Sequence, residues 1–315
     1  MSIEDMFEDG SYKPEFHPDV DLVLQVARKG ERGTTTLAVL NGGTIREFGP
    51  FLYHSDVVAA IGGKIYVTRG KPADDPQWHF LAPIAGGDPL VKMAGQISFA
   101  GVINGELYHV IRGDGAAVYL VESLERPPGL IVAQDHTLSS PQTFLTGRGA
   151  LWIRESKQLR EFGGTGSFLA PMNAHQLGIA CFDDKGVPYA AVYPNQEHKP
   201  ASGIVEVHRL YTAPDSAKDC GEPSQMFADL ACKVPAGLSS TSGDQHGPLP
   251  NGIKFLHVTD GGKTFYAAIS GSYTVMRLRP DERTRLAEPE VVLRLKKEFY
   301  LGNVTFFDKG VLETP

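Results

Sequence analysis

The chain has 315 residues, 42% of them hydrophobic and 21% charged, with a formal net charge of -7. This composition excludes a disordered chain, and the length suits two domains or one large closed β or α/β architecture. The negative balance, with 30 Lys and Arg scattered and in no basic run, opposes nucleic acid and anionic membrane as partners, and no window approaches 18 consecutive apolar residues, so no transmembrane helix is expected.

The chain opens on "MSIEDMFEDGSYKPEFHPD", which is acidic, polar and unlike a signal peptide. A cytoplasmic protein is expected, with secretion after loss of a signal as the alternative. Residues 1–20 are expected as an N-terminal extension and 21–315 as a single domain. Strand-like runs begin with "DLVLQVAR" from Asp21 and "TTTLAVL" from Thr34. A unit then repeats: an apolar run, a turn glycine and a second apolar run. It occurs as "DVVAA" with "GKIYV" from Gly63, as "ISFAGV" with "GELYHV" from Gly105, and as "QTFL" with "GALWIR" from Gly149. It recurs as "QLGIACF" with "GVPYAAV" from Gly186, as "NGIKFLHV" with "GKTFYAAI" from Gly262, and as "YLGNVTFF" with "GVLET" from Gly310. A third run often follows, such as "AAVYLV", "GIVEVHR" or "YTVMRLR". Runs rich in β-branched and aromatic residues around a turn glycine are the signature of antiparallel strands.

The turn glycines recur at steps of roughly 40 to 50 residues, the period of a four-stranded propeller blade. The one longer gap, from Gly186 to Gly262, holds "YTAPDSAKDCGEPS" and "GLSSTSGDQHGP", expected as an insertion over about 211–250. The last unit offers only two strands, and the N-terminus offers two strands without a unit. Joined, they complete a sixth blade and remove open sheet edges. The expected fold is therefore all-β, a six-bladed β-propeller whose last blade is closed by N- and C-terminal strands. The rivals are a pair of β-sandwiches or a seven-bladed ring. A seventh blade would have to come from 211–250, where little beyond "QMFADLA" is strand-like.

In such a ring the segments that lead into the inner strands converge on the axis, where a ligand would sit. Here they are "YHSD", "GQIS", "SPQT", "AHQLG", "LPNG" and "YLGN". His54 and His175 are the expected acid–base residues, because histidine titrates near neutral pH. Asp56, Gln96, Gln142, Gln176 and Asn251 are the expected polar contacts, with Tyr53 and Phe99 as apolar lining. Asp56 is the one carboxylate. A Ca²⁺ cage takes six or more oxygens, usually several of them carboxylates, so no cofactor is expected. The alternative is one divalent cation, Ca²⁺ or Zn²⁺, held by Asn251, Asp56 and His175. A channel of amides, histidines and aromatics suits a small, neutral, partly apolar organic molecule. An exposed blade face would support a homodimer.

Other chemistry is missing. No Gly-x-Ser-x-Gly stands in a strand-to-helix setting, and no P-loop, dinucleotide fingerprint or zinc-finger spacing occurs. Cys181 lies in an inner-strand run and is expected as a small core residue. Cys220 and Cys232 are expected in one polar loop, either as free thiols or as a pair in a secreted protein.

The stretch "PNGIKFLHVTDGGKTFYAAIS" resembles the SMP-30/gluconolactonase/LRE-like family, and "MFADLACKVPAG" is similar to that family's outer strand and linker. The resemblance covers roughly residues 225–280 and implies a six-bladed propeller. It also implies an axial divalent cation held by a Glu, one or two Asn and an Asp. Asn251 matches the family's Asn-Gly position. The fourth unit has Leu177 before Gly178, the sixth has Leu301 before Gly302, and no Glu-Gly-Pro occurs, so the cation site reads as degenerate. Propellers similar to this family also occur in fungal natural-product pathways, where some act without a metal on pericyclic steps. The expectation is a metal-independent small-molecule enzyme, performing a cyclisation or isomerisation such as a hetero-Diels–Alder step. The alternatives are a metal-dependent lactonase or esterase and a non-catalytic binding propeller.

Overall fold

The computed structural model describes residues 2–31, 34–52, 56–61, 64–69, 78–85, 91–94, 96–113, 115–121, 131–135, 143–170, 176–193, 204–210, 228–235, 253, 255–268 and 273–312. The fold is all-β and of the propeller type, built from four-stranded antiparallel sheets. The chain divides into two compact units: Met1–Gly10, His17–Pro141 and Glu298–Pro315 form one, and Ser11–Phe16 with Gln142–Lys297 form the other.

The first unit begins with β1 (Val20–Arg28), β2 (Thr34–Asn41) and β3 (Thr44–Leu52). A second sheet has β4 (Asp56–Ile61), β5 (Lys64–Arg69), β6 (Trp78–Pro83) and β7 (Val91–Ala94), in that order. A third has β8 (Gln96–Ile103), β9 (Glu106–Gly113), β10 (Gly115–Val121) and β11 (Ile131–Asp135).

The second unit has three more sheets of the same up-and-down order. They are β12 (Thr143–Gly147), β13 (Ala150–Arg154), β14 (Gln158–Glu161) and β15 (Ser167–Leu169); then β16 (Gln176–Phe182), β17 (Pro188–Tyr193), β18 (Ile204–Leu210) and β19 (Ala228–Pro235). The last is β20 (Phe255–Thr259), β21 (Thr264–Ala268), β22 (Thr274–Pro280) and β23 (Ala287–Arg294). The final strand, β24 (Phe299–Asp308), returns to the first unit and pairs with β1, giving the order β24-β1-β2-β3. Within each unit the first strands of successive sheets lie against one another: β24, β4 and β8 in one, β12, β16 and β20 in the other. These are the inner strands.

The turn glycines of the repeat do what their spacing implies. Asn104-Gly105 and Arg148-Gly149 both take positive φ at the two central positions (51° and 80°; 53° and 69°). That is the mirror-image hairpin turn whose twist matches the flanking strands. Burial then fixes which runs go inside. β1 is buried from Val20 to Ala27, so it reads as one continuous apolar run interrupted by Asp21 and Gln25. Each fully buried Val or Leu in such a strand contributes about 1.5–3 kcal/mol.

The joining sheet differs from the expected two-plus-two arrangement. It takes three strands from the N-terminal side and one from the C-terminal side. The segment "GVLET" adds no strand among its described residues. Instead Leu312 is buried, its carbonyl accepts from Asn41 Nδ2, and the Lys309 ammonium and the Gly310 N–H both bond the buried Asp21 carboxylate at 3.3 Å. The missing strand is β3, "TIREFGPFL", whose Arg46-Glu47 and Gly49-Pro50 hide its pattern. It is an outer strand, where the irregular Gly49-Pro50 pair falls at a register shift between Thr35 and Leu37, the setting in which a sheet tolerates proline.

β19 falls inside the 211–250 stretch and completes its sheet by pairing with β18. Cys232 is therefore not a loop residue. It is a free thiol, fully buried on β19 among Val205, Val207 and Val234.

Candidate functional site

Of the expected site residues, Tyr53, His54, Gln142, His175 and Asn251 lie outside the described residues. Asp56, Gln96 and Gln176 open β4, β8 and β16, and Phe99 lies within β8. The register shows that these three openings are equivalent. Asp56 pairs with Thr68 and Val57 with Val67, then the register shifts. Gln96 pairs with Arg112 and Ile97 with Ile111, then it shifts. Gln176 pairs with Tyr193 and Leu177 with Val192, then it shifts. In each case two paired residues are followed by one extra residue on the inner strand, which is a β-bulge. Bulges bend a strand, increase its twist and re-aim side chains, and they concentrate beside binding sites.

A fourth inner strand shares the device. In β24, Tyr300 pairs with Ala27 and Leu301 with Val26, Gly302 is the extra residue, and Asn303 resumes the pairing opposite Gln25. Burial follows the same sequence in both units. Gln176 and Tyr300 are half-buried, and the Leu177 and Leu301 that follow are fully buried. The signal was present as "QLG" and "YLG", but an extra residue leaves no mark on an apolar pattern that is already irregular.

One residue that the sequence reading passed over holds this region in the second unit. Arg154 stands on β13 opposite Thr143, the first residue of β12. Its Nη1 donates to the Leu177 carbonyl at 2.7 Å, while the Leu177 N–H donates to the Ser156 carbonyl at 2.6 Å. The two bonds clamp the Gln176-Leu177 segment just before its bulge. Nothing in "WIRES" announces that reach.

In the first unit these positions carry a carboxylate (Asp56), an amide (Gln96) and a phenol (Tyr300), and in the second unit the same register place carries an amide (Gln176). Among the described residues no group of three His, Cys, Asp or Glu is placed to hold a metal. His175 and Asn251, from the alternative cation set, lie outside those residues.

The titratable groups that burial perturbs most sit in the sheets. His109, fully buried on β9 opposite Ala100, is lowered to about 4 by desolvation, so its imidazole is neutral at physiological pH. Burial pushes the Cys232 thiol up to about 12. Burial raises Cys181 too, with the Asp183 carboxylate adding to it. Neither thiol is primed as a nucleophile. No helix among the described residues is long and apolar enough to cross a membrane.

No family model matches the chain, and no curated protein sequence matches it. Solved structures do. TolB from Acinetobacter baumannii superposes with a TM-score of 0.56 at 8% identity, over 91% of this chain and 66% of TolB. A candidate 6-phosphogluconolactonase from Bacteroides uniformis gives a TM-score of 0.49 at 10% identity, over 92% of this chain and 99% of that one. The WD40 β-propeller domain of Doa1 gives 0.48 at 8% identity, over 93% and 95%. At these identities the likeness is one of fold alone. The class of the protein is thus an all-β propeller.

Proposed function

We propose that the two units close into one six-bladed propeller domain spanning residues 21–315, and that the domain is an enzyme acting on a small, neutral, partly apolar organic molecule at the openings of its inner strands. The observation that carries this reading is the amide-rich, carboxylate-poor set at equivalent register, Asp56, Gln96 and Gln176, each ahead of a bulge. Amides donate and accept, so they orient carbonyl and hydroxyl groups without needing a charge on the ligand. In this reading Gln142 and Asn251 extend the polar set, Tyr53 and Phe99 give apolar lining, and His54 and His175 move protons. Catalysis is by positioning and by hydrogen bonds to a developing oxyanion, as a cyclisation or isomerisation requires.

The test uses metal analysis and product mass. Purified protein is dialysed against chelator and offered neutral lactones and unsaturated carbonyl compounds. Turnover that survives chelation, with product mass equal to substrate mass, supports the proposal. Stoichiometric Ca²⁺ or Zn²⁺ together with chelator-sensitive gain of one water replaces it with a lactonase or esterase. Retained function in a folded His54→Ala/His175→Ala variant replaces it with a binding protein.

A further inference from the structure

β16 is the end strand of its sheet, with β17 on one side only. On the other side the hairpin of β13 and β14 takes both main-chain groups of Leu177. The Ser156 carbonyl accepts from the Leu177 N–H at 2.6 Å, and Arg154 Nη1 donates to the Leu177 carbonyl at 2.7 Å. The first bond holds the peptide that joins Gln176 to Leu177, and the second holds the peptide after it. Leu177 is fully buried, so both groups need these partners. The hairpin that supplies them is itself braced. The Glu155 N–H donates to the Gln158 carbonyl at 2.9 Å. The Glu155 carboxylate accepts from Gln158 Nε2 at 2.5 Å and from Arg160 Nε at 2.9 Å. The carbonyl after Ser156, that of Lys157, accepts from the Ala170 N–H at 2.8 Å.

Gln176 stands one residue before this doubly held leucine, half-buried, and the bulge follows directly. A bulge re-aims side chains, and the chain's path into it decides their direction. We infer that Arg154 is a positioning residue: with the hairpin braced by Glu155 it fixes the peptides on both sides of Leu177, and so aims the Gln176 amide at the carbonyl or hydroxyl oxygen of a neutral ligand. Arginine suits the task because a charged donor bonds a carbonyl more strongly than a neutral one, and its planar fork loses less freedom than lysine's ammonium. This inference rests on the small-molecule reading of the site and names the residue that aims one of its amides.

The experiment is a double-mutant cycle on binding, with the full chain. Dihydrocoumarin, chromone and cyclohexenone are titrated as neutral carbonyl probes into wild type, Q176A, Arg154→Met, Arg154→Lys and the R154M/Q176A pair. Q176A should weaken binding of at least one probe about five- to tenfold, the share of one hydrogen bond. R154M should weaken the same probe about three- to tenfold, R154K should recover part of the loss, and R154M should cost nothing further in the Q176A background. A residue that only holds two sheets together would weaken binding equally in both backgrounds, and that result overturns the proposal. Glu155→Gln, which loosens the brace and keeps the arginine, enters the same cycle and should show the same dependence on Gln176 if R154M does not fold. If Q176A weakens binding while R154M and E155Q bind as wild type, the positioning role is overturned and the small-molecule reading stands. If Q176A binds as wild type, the positioning role falls with the Gln176 contact. If wild type binds no probe, both readings fall.

Discussion

At the scale of single residues, His109 shows what burial does to a titratable group. Its folded pKa, about 4, lies below the ordinary 6.5, and the cause is desolvation. The unfolded chain therefore binds a proton between these values that the folded chain refuses. Stability is full above about pH 6.5 and falls as pH drops through that window toward 4. The slope should reach about 1.4 kcal/mol per pH unit and total about 3 kcal/mol. Urea unfolding of wild type and His109→Leu between pH 4 and 7 should show this slope in the first and its absence in the second. Equal slopes would show that some other group dominates. Cys232 makes the complementary point: a polar-looking run around it suggested a loop, but its side chain fills space between Val205 and Val234. The residue type alone does not report that choice, because cysteine is at home in either place.

At the scale of elements, the outer strand β23 shows how an open edge is managed. Residues Ser11–Phe16 lie along it. The Lys13 N–H donates to the Val292 carbonyl at 2.8 Å, Ser11 Oγ donates to the Arg294 carbonyl at 2.8 Å, and the Arg294 N–H returns a bond to Ser11 Oγ at 3.2 Å. The strap ends on Phe16, whose ring centroid lies 5.1 Å from both Lys13 Nζ and the Arg277 guanidinium. Arg277 is buried on β22. Burial alone would lower its pKa, but its hydrogen bond to Glu290 at 2.6 Å and that carboxylate's charge raise it. Glu290→Ala should leave a buried cation without its carboxylate and cost about 3 kcal/mol, with Glu290→Gln costing less. Thermal melts would check the order, and an E290A melt equal to wild type would remove the ion pair from the account.

Strand positions were legible wherever a turn glycine stood between two apolar runs, as at Gly105 and Gly149, because a positive φ there is a local requirement. β3 was not, since Gly49 and Pro50 suit an outer strand only after its neighbours are known. The bulges at Ser98 and Gly302 were invisible for a related reason: an extra residue is defined by the partner strand, not by its own. The strand openings could be named as site candidates from the repeat, whereas the clamp of Arg154 on Leu177 depends on a contact between residues 154 and 177.

At the scale of the whole molecule, the pairing of β1 with β24 has a consequence in time. Every bond of that ladder joins residues near position 25 to residues near position 303. Sequence separation of this size slows folding, because the loop must close before any contact rewards it. During synthesis β1 and β2 emerge long before β24, so β1 lacks its inner partner until Phe299–Asp308 have left the ribosome. The second unit has its described strands by Arg294, just before β24 begins at Phe299. The protein should therefore pass through a stage in which β12 to β23 are paired while one edge of β1, apolar along most of its length, waits uncovered. A chain ending before Phe299 should stay at that stage and aggregate, since an uncovered apolar edge templates further pairing. Adding a peptide of residues 298–312 in trans should rescue it, and size-exclusion chromatography of the mixture would show whether it does. For this protein, a strand made late is the one that keeps an early strand safe.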